Sequence, residues 1–195
     1  ILTSFFDKCL IFVYQLVKLG ANLFEMDVII RKANLNNAKA LAELGAKTFY
    51  DTYHKENTTE DMRDYITKYF TINVLQTELQ DKNTMFFVAE TNQELIGYIK
   101  LYRTGNSYIP NVKAMEVSRF YVDKQFQGHK LGAKLMLEAE KYAMECGCEV
   151  MWLGVWQKNI TSIIIYEKLG YNKVGTTTFT LGNDIQDDYI MVKHL

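Results

Sequence analysis

Apolar residues recur along this chain at two periods, and the places where one gives way to the other mark out the elements. Over residues 1–25 the period is helical: Phe5, Cys9, Phe12 and Leu16 form one stripe and Phe6, Leu10, Val13 and Val17 a second. The uncharged run from Cys9 to Val17 is shorter than the roughly 20 apolar residues that span a bilayer, and no small-residue cleavage site follows it. Met26 stands directly before a strand-like run. Residues 1–25 are therefore expected to be an N-terminal extension, helical or disordered, ahead of a domain covering residues 26–195. An amphipathic helix docking on the domain or on a partner is the alternative.

From Val28 the pattern is that of a strand to Ala33. Asn36 or Asn37 then caps a helix with Ala38, Leu41, Leu44, Ala46 and Phe49 on one face. Thr58 and Asp61 make a weakened capping box for a helix bearing Met62, Ile66, Tyr69 and Phe70, and a short helix follows from Ile72 to Leu79. Met85 to Glu90 and Leu95 to Leu101 read as a hairpin turning at Asn92-Gln93, with Gly97 marking a bulge or a close backbone approach. Ala114 to Val122 is the next strand. A helix from Gly128 to Cys146, a buried strand from Val150 to Val155, and a helix from Asn159 to Leu169 with Ile163, Ile164, Tyr166 and Leu169 inward follow. Tyr171 to Val174, Phe179 to Leu181 and Tyr189 to Val192 close the chain as strands. This succession predicts an α/β (α+β) domain: a mixed central sheet of about seven strands, helices on both faces, and a parallel central pair joined by the Gly128 helix.

Composition narrows the picture. With 195 residues and 48% hydrophobic content the chain can bury a core of its own. A net charge of −1 gives no overall pull toward nucleic acid or an anionic membrane, so no nucleic acid partner and no membrane span are expected. Cys9, Cys146 and Cys148 are odd in number and lack the C-x-x-C spacing, which argues for idle thiols in a reducing cytoplasm. His54, His129 and His194 show no ligand spacing, and no metal is expected.

The chemistry gathers where the Ala114–Val122 strand runs into a glycine-containing loop and a helix start. Gly128 and Gly132 let backbone approach a ligand, Lys130 and Lys134 add positive charge, and a helix N-terminus presents unpaired N–H groups to an anion. Neither G-x-x-x-x-G-K-[ST] nor G-x-G-x-x-G is present, which disfavours a nucleotide hydrolase or a dinucleotide oxidoreductase.

Gln125-Phe-Gln-Gly-His-Lys-Leu-Gly132, after Arg119-Phe-Tyr-Val122, resembles the acetyl-CoA signature of the GNAT (Gcn5-related) N-acetyltransferases. Trp152-Leu-Gly-Val-Trp-Gln-Lys-Asn159 and Ile165-Tyr-Glu-Lys-Leu-Gly-Tyr171 resemble the family's second motif, N-x-x-A-x-x-F-Y-x-K-x-G-F. The likeness covers residues 27–195. More narrowly, the W-L-G-V-W-x-K-N run, Phe179-Thr-Leu-Gly182 and Asp188-Tyr-Ile-Met191 are similar to bacterial spermidine/spermine N-acetyltransferases of the protease-synthase and sporulation-regulator type. The match to the pattern is not complete. Lys130 stands where Q/R-x-x-G-x-G/A has its second small residue, and Ile165 replaces a phenylalanine.

The resemblance implies acetyl transfer from acetyl-CoA, as cosubstrate and without a metal, to a primary amine attacking directly in a ternary complex. It implies that Phe120, Tyr121 and Val122 offer backbone groups to the pantetheine arm. Gln127, Gly128, His129, Lys130, Leu131, Gly132 and Ala133 would then hold the pyrophosphate, Asn159 would hydrogen-bond the cosubstrate, and Tyr166 would protonate the departing thiolate. Glu116 is the candidate for taking the amine's proton. Asp184, Asp187 and Asp188, together with Glu56, Glu60, Asp61 and Asp64, could draw a polycation to the opening, and a polyamine is the favoured acceptor. A peptide N-terminus, a lysine, an amino acid or an amine drug are alternatives, as is an acyl-CoA-binding regulator with little turnover. A homodimer is compatible with the resemblance, and the location expected is cytoplasmic.

Overall fold

Seven strands form one sheet in the order β1-β2-β3-β4-β5-β7-β6 in a computed structural model that describes residues 27–182 and 184–195. The elements are β1 (Ile29–Lys32), α1 (Ala38–Tyr53), α2 (Thr59–Tyr69), α3 (Ile72–Gln80), β2 (Thr84–Thr91), β3 (Glu94–Tyr102), β4 (Ala114–Val122), α4 (Leu131–Glu145), β5 (Val150–Trp156), α5 (Ile160–Lys168), β6 (Asn172–Leu181) and β7 (Asp184–His194). The helical stripe expected over residues 1–25 lies outside the described residues. Strands β1 to β4 are antiparallel neighbours, β4 and β5 run parallel across the α4 crossover, and β7 lies between β5 and β6.

The two faces of the sheet carry different cores. On one, Leu131, Leu135, Met136, Ala139 and Ala143 of α4 and Ile163 of α5 pack on Ile99, Leu101, Met115, Val117 and Met151. On the other, Leu41, Ala42 and Leu44 of α1 and Leu75 of α3 cover Phe86, Val88 and Tyr98, and Phe49, Met62, Phe70 and Leu181 form a cluster beside them. The α1 helix comes close because it carries Gly45 at the contact. A methyl group built there would lie 2.6 Å from the Phe70 ring and closer still to the Tyr98 hydroxyl.

Asn92 and Gln93 both have positive φ, as a tight two-residue hairpin turn requires. Gly97 meets both expectations. The β2–β3 register slips beside it, and a Cβ there would stand 3.1 Å from the Tyr121 carbonyl oxygen. Three local readings change. Asn37 holds the N-cap position of α1, as expected, but makes no side-chain cap there; a short 3-10 turn (Leu35–Asn37) precedes it, and Asn34 caps that turn in a reciprocal box with Asn37. Tyr171–Val174 and Phe179–Leu181 are not separate strands. The polar Gly175–Thr178 stretch continues as β6, which its outer-edge position permits, since few of its side chains need burial. Ile164 is exposed, not inward; α5 buries Ile163 and sets Tyr166 and Leu169 against the core.

Candidate active site

Parallel strands β4 and β5 pair only at Ala114–Glu116 with Val150–Trp152. Beyond that point β4 continues to Val122 and β5 to Trp156 with no pairing between them. The sheet opens there into a V, and β4 from Val117 to Val122 keeps a row of backbone groups free on its β5 side. An extended chain of amide groups can add to such an edge as a further strand would.

A bulge sets which side chains flank the V. Arg119 pairs with Lys100 and Val117 with Leu101, so Ser118 is an extra residue in β4. One inserted residue reverses the alternation of faces. Phe120 and Val122 therefore join Met115 and Val117 on the α4 face, and Arg119 and Tyr121 turn to the α1–α3 face. There the carboxylate of Glu78, on α3, accepts from Lys100 (2.7 Å) and from Arg119 (2.6 and 3.1 Å), all three side chains being largely buried. Burial, and then the Arg119 charge, push the Lys100 ammonium below its ordinary range.

At the open end, Asp123 accepts from the Gln125 N–H (3.1 Å) and from Lys47 of α1 (2.6 Å), which fastens the loop after β4. Gly128 follows at φ 85° and Lys130 at φ 58°, both in the left-handed region. That is why a glycine or small residue suits position 130. Lys130 is the N-cap of α4 yet supplies no side-chain cap, whereas Thr58, Thr71 and Asn159 cap α2, α3 and α5. The N–H groups of Leu131, Gly132 and Ala133 consequently have no acceptor among the described residues. The helix thus begins at Leu131, three residues later than expected. Gln127 donates through Nε2 to the Val122 carbonyl (3.3 Å), and His129 and Lys130 are exposed.

The two glycines serve different ends. Gly128 supplies conformation, since among the described residues nothing lies within 4 Å of where its Cβ would be. Gly132 supplies room, since a Cβ there would stand 3.1 Å from Phe120 Cζ. On the far side of the V, Asn159 caps α5 by accepting the Ser162 N–H (3.2 Å), which leaves its amide N–H groups free to donate. The Tyr166 ring lies 6.2 Å from the Phe120 ring across the opening. Burial pushes its phenol well above the usual tyrosine value, so it holds its proton at neutral pH.

A cavity of about 280 Å³ runs along this opening, lined by Phe120, Tyr121, Val122, Gln127 and Ser162 and, from α1, by Thr48, Asp51 and Thr52. The α1 residues were missed in the sequence, where the only trace is a polar pair at i, i+4 beside the apolar stripe. A larger hollow, about 330 Å³, lies at the other end of β4 against Arg103, Lys113, Cys146 and Cys148, which keeps both thiols away from the V.

Glu116 sits at the vertex, paired with Trp152 on the last rung of the β4–β5 ladder. Its carboxylate makes no hydrogen bond among the described residues. Burial raises its pKa, and Lys100 opposes that rise. The acidic residues named from the sequence divide. Glu56 pairs with Lys158, Arg63 lies against Glu60 and Asp64, and Asp61 accepts from Thr58. Asp184 and Asp188 share one face of β7 and Asp187 the other. Among the described residues no group of three or more His, Cys, Asp or Glu could hold a metal, and no helix is long and apolar enough to cross a membrane.

A splayed parallel pair ending at an uncapped helix N-terminus offers a free strand edge to an extended amide chain and open N–H groups to an anion. The family model for the acetyltransferase (GNAT) family matches residues 39–171, and the chain belongs to that family. It is an acetyl-CoA-dependent N-acetyltransferase. It is 32% identical over 155 residues to an uncharacterized N-acetyltransferase of Lactobacillus delbrueckii subsp. lactis, covering 78% of this chain and 88% of that one. It is 25% identical over 150 residues to the spermidine N(1)-acetyltransferase of Thermoplasma acidophilum, covering 75% and 89%. Among solved structures it is similar to the PaiA N-acetyltransferase of Thermoplasma acidophilum in complex with coenzyme A, with a TM-score of 0.70 and 25% identity over 87% of this chain and 100% of that chain.

Proposed function

We propose that the chain acetylates a primary amine of a polyamine such as spermidine or spermine, by direct attack of the amine on acetyl-CoA in a ternary complex. The observation that carries this is the unpaired β4 edge leading into the open N–H groups of Leu131, Gly132 and Ala133. Phe120, Tyr121 and Val122 hydrogen-bond the pantetheine arm through backbone groups. Residues 127–133 hold the pyrophosphate, and Asn159 donates its free amide hydrogens to the cosubstrate. The polyamine acceptor is supported by the likeness to a relative named as a spermidine acetyltransferase and by the acidic face of β7. The free thiols of Cys146 and Cys148 fit a cytoplasmic location.

An alkylammonium with pKa about 10.4 is neutral in only about one molecule in 2,500 at pH 7, so its proton needs a route out. Glu116, kept basic by burial and set at the vertex of the V, takes it directly or through water. The nitrogen lone pair forms the new C–N bond, the C–S bond breaks, and Tyr166 gives its hydroxyl proton to the thiolate before recovering one from solvent.

A thiol-release assay over spermidine, spermine, amino acids and peptides, beside calorimetry with acetyl-CoA, tests the reading. Binding of acetyl-CoA with turnover of polyamines is expected. No binding at millimolar acetyl-CoA, or turnover confined to amino acids or peptides, overturns it. Tyr166→Phe is expected to lower kcat by about 10²- to 10⁴-fold, the usual worth of a placed general acid, with acetyl-CoA affinity changed by less than about threefold. An unchanged kcat would make Tyr166 a packing residue only.

A further inference from the structure

Among the described residues, three buried side-chain polar atoms have no hydrogen-bond partner: Tyr98 Oη, Gln186 Oε1 and Asp188 Oδ1. Buried acceptors are nearly always paired in folded proteins, so two orphans on one strand call for an explanation. Gln186 and Asp188 are two residues apart on β7 and so share a face, the one turned toward α1 and α2. Gln186 is 5% exposed. Its Nε2 donates to Asn57 Oδ1 and to Asp184 Oδ2, both at 2.8 Å, which sets the orientation of the amide and leaves its oxygen without a donor. Asp188 is half-buried, opposite Trp156 on β5 and Thr177 on β6. Its Oδ2 lies 3.5 Å from where a Cβ would stand on Gly154, so the missing side chain there keeps the carboxylate open toward β5.

Aromatic side chains lie near the carboxylate, Trp156 directly across the β5–β7 ladder. Burial raises the Tyr53 phenol, and the Asp188 charge adds to it; Tyr65 is pushed up to about 12 by burial with a smaller contribution from Asp188. The Tyr53 and Trp156 ring centroids are 5.7 Å apart. No lysine or arginine among the described residues hydrogen-bonds Asp188. Burial, with Asp187 next in the chain, pushes its carboxyl up to about 6, so at neutral pH it is an ionised and poorly solvated group.

An unpaired carboxylate with aromatic side chains nearby is matched by a cation bearing several N–H donors, which is an alkylammonium. A neutral amide could satisfy the oxygens and would leave the charge uncompensated. Placement assigns the role. Asp188 faces Trp156, four residues past Trp152, where the β4–β5 ladder ends, so it stands beside the open part of the V. Gln186 and then Asp184 continue the row, about 7 Å per two residues, toward the end of the β6–β7 hairpin. Such a row suits an extended cation whose charges are separated by short methylene runs.

We propose that Asp188 Oδ1 and Gln186 Oε1 form the seat of a second, non-reacting ammonium of the acceptor, so that the enzyme selects diamines and polyamines over monoamines. The inference rests on the amine-acetylating reading above and goes further in assigning the residues that choose the acceptor. Holding one ammonium on β7 leaves the terminal amine of the same molecule free to enter the V.

The test compares kcat/KM for spermidine with that for propylamine, in wild type and in Asp188→Asn. Wild type is expected to favour spermidine by at least about 10-fold. The substitution is expected to lower the spermidine-to-propylamine ratio by about 10- to 100-fold, the worth of a hydrogen bond to a charged group. A ratio unchanged within twofold in the folded variant overturns the seat. So does a wild type that turns over both amines without preference, and in that case the amine-acetylating reading stands. A wild type that acetylates neither removes that reading itself. Should Asp188→Asn fail to fold, a structure of the wild type with coenzyme A and spermidine decides. A spermidine nitrogen within about 3.2 Å of Asp188 Oδ1 supports the seat, and nitrogens bound elsewhere refute it.

Discussion

Replacing Lys130 separates the two things that this residue brings to the start of α4. Its backbone lies at φ 58°, ψ 15°, where a residue with a Cβ is disfavoured by about 1–2 kcal/mol. Glycine removes that strain and in exchange has more freedom to lose on folding, about 0.4–1 kcal/mol. The balance for Lys130→Gly is a gain of up to roughly 1 kcal/mol, or about 2–4 °C in Tm for a domain of this size. Lys130→Ala keeps the Cβ and the strain while removing the same charge. Glycine should therefore melt above alanine at position 130, the reverse of their order inside a helix. Binding follows from exposure. The ammonium of Lys130 is solvent-exposed and makes no salt bridge among the described residues, so it should add no more than an exposed ion pair does, about 0.2–1 kcal/mol. Acetyl-CoA affinity should fall by no more than about fivefold in either variant, and the difference from wild type should shrink at 0.5 M salt. The N–H groups of Leu131, Gly132 and Ala133 remain in both. Scanning calorimetry and isothermal titration read the two effects. A Tm for the glycine variant at or below that of alanine would refute the strain argument. A loss beyond about 50-fold in affinity would make the lysine itself a main phosphate ligand.

Gly45→Ala sets helix propensity, worth about 1 kcal/mol in favour of alanine, against a methyl group that would meet Phe70 and Tyr98; overpacking at about 1–3 kcal/mol should win and lower Tm, and a rise would show that α1 can shift. Asp123 has the opposite pH sense to Asp188. Burial pushes its carboxyl up, and the Lys47 ammonium with the Gln125 N–H more than offsets this, holding it below the ordinary value. The stability it contributes is thus present above about pH 4 and is lost as pH falls through its folded value. Lys47→Met should cost about 0.2–1 kcal/mol at pH 7, with the difference from wild type narrowing toward pH 3; a constant difference across that range would remove the ion pair as the cause.

Much of the site was legible because local chemistry must accompany it. A phosphate-binding helix start needs backbone freedom and free N–H groups, and Gly128 and the run to Ala133 show both. Asn159 and Tyr166 stand at fixed spacing on one helix, so a motif can carry them. Glu116 was placed on the correct strand, while its position at the last rung of the ladder depends on where β4 and β5 part. Asp188 could only be grouped with Asp184 and Asp187 by proximity in sequence. The pleat of β7 separates them, and Gly154 and Tyr53, from distant parts of the chain, give Asp188 its surroundings.

By itself the sequence determined the kind and order of the elements, the mixed sheet and the helix start proposed to meet the phosphates. Each of these follows from hydrophobic period, turn residues and backbone freedom over a few consecutive positions. Tertiary structure decided the rest. The extra residue at Ser118 turned Phe120 toward Tyr166 and Gly132, and Arg119 toward Glu78. The parting of β4 from β5 freed a strand edge, and the pairing of β7 with β5 set a carboxylate near aromatic side chains of α1, α2 and β5. Register and splay arise from contacts between residues far apart in the chain, and no local pattern records them.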